Sequence, residues 1–210
     1  MIMITTELIK KGFSYESFRN LVDNLLADGK ATSGNNSEFP LLEFTKSNVQ
    51  RMDNLDRAVV LMPELMEELQ ELSEKWIWIV LAEGWCGDVA QNLPVIAKIA
   101  KVTENIELKI LLREENPEVM EAYLTNGGKA IPKLICLTVD TLREKGTWGP
   151  RQEPVQEMVM ELKEKKKNNT NIKELVERYH NTMHKWYDDD KSQTIQKEFL
   201  HIVKYWKTKY

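Results

Sequence analysis

The sequence predicts an α/β fold in which a mixed central sheet is flanked by helices, with helical extensions at both ends of the chain. Three observations carry this. Trp76 to Ala82 is a nearly unbroken run of apolar, β-branched and aromatic residues bounded by Glu83 and Gly84, as expected of a strand buried on both faces. From Val89 the period becomes helical (Leu93, Ile96, Ala97, Ile99, Ala100), and strands and helices then alternate to about residue 167. Outside that span only helical periods are found. The expected organisation is therefore a helical extension over 1–73, an α/β domain over 74–167 and a helical extension over 168–210.

In chain order, Ser14 is suited to cap a first helix that carries Tyr15, Phe18, Leu21, Val22, Leu25 and Leu26 on one face and stops at Gly29. Residues 31–38 form a polar loop. Pro40 opens a second helix, with Leu41, Thr45, Val49, Met52 and Leu55 on one side, and Pro63 a third that buries Leu65, Met66, Leu69 and Leu72. These three helices either cap the sheet or form a docking subdomain. The strand at 76–82 feeds a helix over 87–103, followed by a strand at 106–112 and a helix at 117–126 burying Val119, Met120, Tyr123 and Leu124. Residues 132–139 and 143–148 pair as a hairpin, and a helix at 153–167 closes the unit with Val155, Met158, Val159 and Leu162 inward. Beyond it, Asn171 and Glu174 read as a capping box, the Asp188-Asp189-Asp190 run breaks the helical period, and Ser192 caps a last helix.

Composition limits the function. The 210 residues are 42% apolar, enough for a sizeable core, and the charge is 30% but nearly balanced at −4, without the signature of nucleic-acid binding. Residues 161–210 are the basic part, with 12 Lys and Arg against 8 Asp and Glu, but acids interleave with the lysines, as on a solvated helix face. No apolar run reaches the roughly 20 residues of a membrane span. Two cysteines make no disulfide framework, and the N-terminus does not read as a signal peptide, so the expectation is a cytoplasmic protein with reduced thiols. His180 and His184 share a helix face without a third ligand, so no metal and no other cofactor is expected.

The chemistry concentrates in Trp85-Cys86-Gly87-Asp88-Val89, where a buried strand ends and a helix begins. Unpaired backbone N–H groups and the helix dipole there favour a thiolate, while the nearby Asp88 carboxylate opposes one. Trp85-Cys86-Gly87, with Pro94 eight residues after the cysteine and Ala130-Ile131-Pro132-Lys133-Leu134-Ile135 further on, resembles the thioredoxin family over about residues 74–166. The resemblance implies a thioredoxin-like fold of bacterial type, a cis Pro132 lying against Cys86, and Gly149 beside a peptide groove. It also marks the departures. Val89 stands where the family has its second cysteine, Asp88 where it usually has proline, and Val80 where it has a buried acid, so the site is monothiol.

Two functions follow. In the first, Cys86 performs thiol–disulfide exchange or forms a mixed disulfide with a protein or a low-molecular-weight thiol or disulfide, Trp85 shielding the sulfur and Ile131, Pro132 and Gly149 presenting the partner; an outside thiol must then release the product. In the second, the module is redox-inactive and the groove around Trp85 and Pro132 binds a peptide or protein. Cys136, four residues beyond Pro132 and so about 13 Å along an extended strand, reads as an inert core thiol rather than a resolving one. Lys133 is a candidate positive charge near the sulfur.

Overall fold

The computed structural model describes residues 4–33, 40–167 and 170–209. Most of the expected loop at 31–38 lies outside the described residues. The sheet is built around β1 (Trp76–Ala82), whose seven residues are all buried. β2 (Ile106–Leu112) runs parallel to it, with Trp76 opposite Ile106 and Ala82 opposite Leu112. β3 (Lys133–Thr138) runs antiparallel on the other side, and β4 (Glu144–Trp148) completes the order β2-β1-β3-β4. The mixed sheet expected from the sequence is observed, each strand within a residue of its expected limits.

Alternate residues of β1 point to opposite faces, and both faces are covered. Trp76 and Trp78 meet α9 (Gln193–Thr208): the Trp78 ring centroid lies 5.4 Å from that of Phe199, and Trp206 stands edge-on 6.2 Å from Trp76 and 6.4 Å from Trp78. Ile77, Ile79 and Leu81 on the other face are equally buried. The connection from β1 to β2 is α5 (Gly87–Ala100), buried along most of its length, with α3 (Leu41–Ala58) packed along it. The helix at 153–167, α7 (Glu153–Lys167), was expected to close the unit. Its Leu162 and Met158 instead pack with Leu175 and Tyr179 of α8 (Ile172–Asp190) in a small second cluster, and α9, with its aromatic stripe, lies over the tryptophans.

At the N-terminal end, α1 (Thr6–Lys11), too short to show a period, is capped by Thr5 and was not foreseen. Phe13 then exchanges two 2.8 Å backbone hydrogen bonds with Ile110 on the edge of β2. α2 (Tyr15–Ala27) begins at Ser14, whose hydroxyl accepts from the Ser17 N–H at 3.1 Å, and Arg19 ties it to Asp53 and Asp56 of α3. α4 (Pro63–Gln70) buries Leu65 and Leu69, but Met66 is 37% exposed, because a helix of eight residues turns a single narrow stripe inward.

Three further expectations are corrected. α6 (Pro117–Ala122) stops early: Asn126 and Gly127 take left-handed φ of 51° and 74°, the Thr125–Gly128 turn follows, and Leu124 is left exposed. The three aspartates do not end α8, which runs through Asp190 and stops where Lys191 and Ser192 adopt left-handed φ of 50° and 61°. Ser192 does not cap α9 with its side chain; the Asp190 carboxylate accepts from the Thr194 N–H at 3.1 Å and takes that place. Among the described residues no helix is long and apolar enough to cross a membrane.

Candidate functional site

The chain leaves β1 through a pinned turn. Glu83 is fully buried, its carboxylate accepting from Thr32 Oγ1 and from the Glu114 N–H at 3.0 Å. The Asn48 side chain on α3 donates to the Gly84 carbonyl at 3.0 Å, and Thr32 Oγ1 accepts from the Gly84 N–H at 3.1 Å. Trp85 is held by its indole N–H on Ser33 Oγ, at 3.3 Å, and by the Arg113 guanidinium stacked 4.9 Å over its ring. So fixed, the turn delivers Cys86 to the N-cap of α5.

Cys86 Sγ lies 3.4 Å from the carbonyl oxygen of Ile131, and the Ile131–Pro132 peptide is cis. The amides of Asp88 and Val89 approach the sulfur and favour its anion, as the helix terminus should. Burial and the Asp88 carboxylate act against them and prevail, and the thiol is pushed up to about 12. Val89, where a resolving thiol would stand, is 1% exposed and belongs to the core. Cys136 is fully buried opposite Trp78, its thiol raised by burial. Lys133 is buried, with Glu144 as its nearby charge.

The presenting elements sit closer to home than the sequence implies. Ile131 and Pro132 are buried, and the Ile131 carbonyl is occupied by the Cys86 thiol. Gly149, at a left-handed φ of 106°, is needed because a Cβ there would lie 2.3 Å from the carbonyl oxygen of Pro132; the close approach it permits is to its own chain. Gly87, by contrast, has open space around its Cα.

A cavity reaches Cys86 from another direction. Leu41 and Phe44 of α3, Trp85, and Met183 and Tyr187 of α8 border a cavity of about 750 Å³ with Cys86 on its wall. Its polar side includes Arg51, Asp88, Gln91, His180 and His184. Arg51 donates to Asn48 Oδ1 at 2.8 Å and to His184 Nε2 at 3.2 Å. With Nε2 accepting, the His184 proton sits on Nδ1, which has no partner among the described residues, and burial beside Arg51 keeps this histidine below its ordinary pKa and neutral. Among the described residues no group of His, Cys, Asp and Glu is arranged to hold a metal.

Beneath the cavity Asp88 is fixed on both oxygens: Arg151 donates to Oδ2, at 3.0 Å from Nε, and the Tyr187 hydroxyl donates to Oδ1 at 3.2 Å. Asn92 donates to the Asp88 carbonyl at 2.8 Å and accepts from Gln152 at 2.7 Å. α5, the segment after the cis Gly149–Pro150 peptide and α8 are thereby joined beside the sulfur. Arg51, Arg151 and Tyr187 were not foreseen as part of the site; only the position of Arg151 just after Gly149-Pro150 hinted at a role.

Known proteins resemble the chain in its fold. The family model described as thioredoxin matches residues 34–173, a span that includes α3, the whole sheet, Cys86, Pro132 and α7. No curated protein matches the chain. A crystal structure of a protein of unknown function from Pseudomonas aeruginosa is similar at 16% identity and a TM-score of 0.57, over 97% of this chain and 98% of that one. An HIV epitope scaffold is similar at 17% identity and a TM-score of 0.58, over 96% and 98%. At such identities the likeness concerns the fold alone.

Proposed function

The chain belongs to the thioredoxin family, and from that premise we propose that Cys86 is a monothiol centre exchanging with a disulfide that enters the cavity between α3 and α8. The observation that carries the reading is Cys86 itself, a half-buried residue on the cavity wall beside the cis Ile131–Pro132 peptide, with a buried valine in the resolving position. In the step, Cys86 Sγ attacks one sulfur of the disulfide. The S–S bond breaks, the Cys86–sulfur bond forms, and the departing sulfur takes the proton that Cys86 gives up. Cys86 is oxidised to a mixed disulfide and half of the partner is reduced to a thiol. With Val89 buried, a second thiol from solution must resolve it, which suits a cytoplasmic setting.

One observation favours a second reading, a binding module without redox work: a thiol pushed up to about 12 is almost wholly protonated at neutral pH. The two separate on mass measurement of the intact protein after incubation with 2-hydroxyethyl disulfide. Exchange gives one adduct, located on Cys86, lost in Cys86→Ser and removed by added thiol. Absence of any adduct at pH 9 in the folded protein would sink the exchange reading and leave the binding module.

A further inference from the structure

We propose that the cavity takes a small molecule with an apolar body and a carboxylate, the carboxylate held by Arg51. This deepens the exchange reading by naming the chemical class of its small-molecule partner, and its covalent part rests on that reading.

Arg51 is the odd arginine of the chain. Among the described residues the other part-buried arginines, Arg19, Arg113 and Arg151, each form an ion pair with a carboxylate, and the remaining arginines are exposed. Arg51 is part-buried, and its hydrogen bonds go to two uncharged groups, the Asn48 amide and the neutral His184 ring. A desolvated cation without a counter-ion is costly, and burial indeed weakens the hold of Arg51 on its proton. The acids nearby do not relieve it. Asp88 is taken by Arg151 and Tyr187, and Asp188 acts on Arg51 only from beyond ion-pairing distance. Asp88 also lines the cavity, but its charge is met by Arg151; around Arg51 and Asp88 stand Leu41, Phe44, Trp85 and Met183, and the volume of about 750 Å³ suits a molecule of metabolite or drug size. A planar guanidinium matches a carboxylate in two-point geometry. The occupant is thus an anion with a greasy end, with Cys86 on the same wall.

The test compares two aromatic disulfides on the native protein at pH 8: 5,5′-dithiobis(2-nitrobenzoate), which carries a carboxylate on each half, and uncharged 4,4′-dithiodipyridine. Each labelling rate of Cys86 is divided by that reagent's rate with 2-mercaptoethanol. The expected ratio, anionic over neutral, is about tenfold in favour of the anion, falling to near one in Arg51→Gln and lying between the two in Arg51→Lys, which keeps the charge without the two-point geometry. A ratio at or below one in the unaltered protein, or one unchanged in folded Arg51→Gln, overturns the proposal. If neither reagent labels Cys86, the exchange reading has failed and the site is read by binding alone. Cys86→Ser is then titrated calorimetrically with 4-phenylbutyrate and 4-phenylbutanamide, which differ only in the charged end. Tighter binding of the carboxylate by about tenfold, lost on adding Arg51→Gln, upholds the inference; equal affinities or no binding of either compound overturn it.

Discussion

The amides of Asp88 and Val89 offer Cys86 the stabilisation of a helix terminus, but the carboxylate two residues on and the surrounding burial reverse its effect. The sign of the pH dependence follows. The Cys86 thiol titrates near 9 when unfolded and near 12 when folded, so the folded form holds its proton longer. The stability tied to that proton is complete below about pH 9 and is lost as the pH rises toward 12, with a slope of at most about 1.4 kcal/mol per pH unit. Denaturant unfolding between pH 8 and 11 should show that decline, and Cys86→Ala should make it shallower without abolishing it, because burial also raises the Cys136 thiol; an equally steep decline in both proteins would assign the effect to other groups. At this scale the reactive residue was legible, because a Trp-Cys-Gly turn between an apolar strand and a helical period announces itself. The direction of its pKa was not, since Asp88 adds to a burial that only the packed turn creates. Arg51, Arg151 and Tyr187 were invisible for a similar reason: Arg51 shares a cavity with Cys86, and Arg151 and Tyr187 reach Asp88, across at least 35 residues of chain, and no local pattern marks such a meeting.

Elements end where backbone and side chains agree, and the caps show which ends sequence can locate. Ser14 and Asn171 were readable because each side chain satisfies an N–H three residues on. Ser192 misled because the preceding left-handed residue turns the chain so that Asp190, two residues earlier, reaches the Thr194 N–H instead. The docking of α9 was hidden in a glycine. Gly146 of β4 lies under Trp206, and a Cβ there would fall 2.1 Å from the indole Nε1 and 2.8 Å from Cε2. The ring cannot give way freely, since it also stands edge-on to Trp76 and Trp78. Gly146→Ala should therefore destabilise the protein by about 1–3 kcal/mol, the usual range for overpacking. Combining it with Trp206→Leu should cost less than the sum of the two single changes, because the smaller side chain vacates the space. Additive losses in urea midpoints would mean that Gly146 is required for its backbone and not for the contact.

At the scale of the molecule the apolar interior of the described residues divides in two. The main core runs through the sheet, α5 and α9, while Leu162, Leu175 and Tyr179 form a separate small cluster between α7 and α8. The sequence displayed both sets of apolar stripes but not which would merge, because every amphipathic helix shows an inward face without showing its partner. The division matters because α8 supplies one wall of the cavity, through Met183, His184 and Tyr187, and its Tyr187 holds Asp88. A helix secured by few apolar contacts belongs to the low-stability end of the opening spectrum, so the cavity should open before the sheet does. Leu175→Ala tests this. Removing a buried leucine costs about 2–5 kcal/mol, and the small cluster around Leu175 places the loss at the lower end. Amide exchange should accelerate across residues 153–190 while β1 and β3 retain their protection, and Cys86 should label faster as its wall loosens. A uniform loss of protection that includes β1 would show that the two clusters unfold as one unit and that access to the sulfur depends on global stability instead.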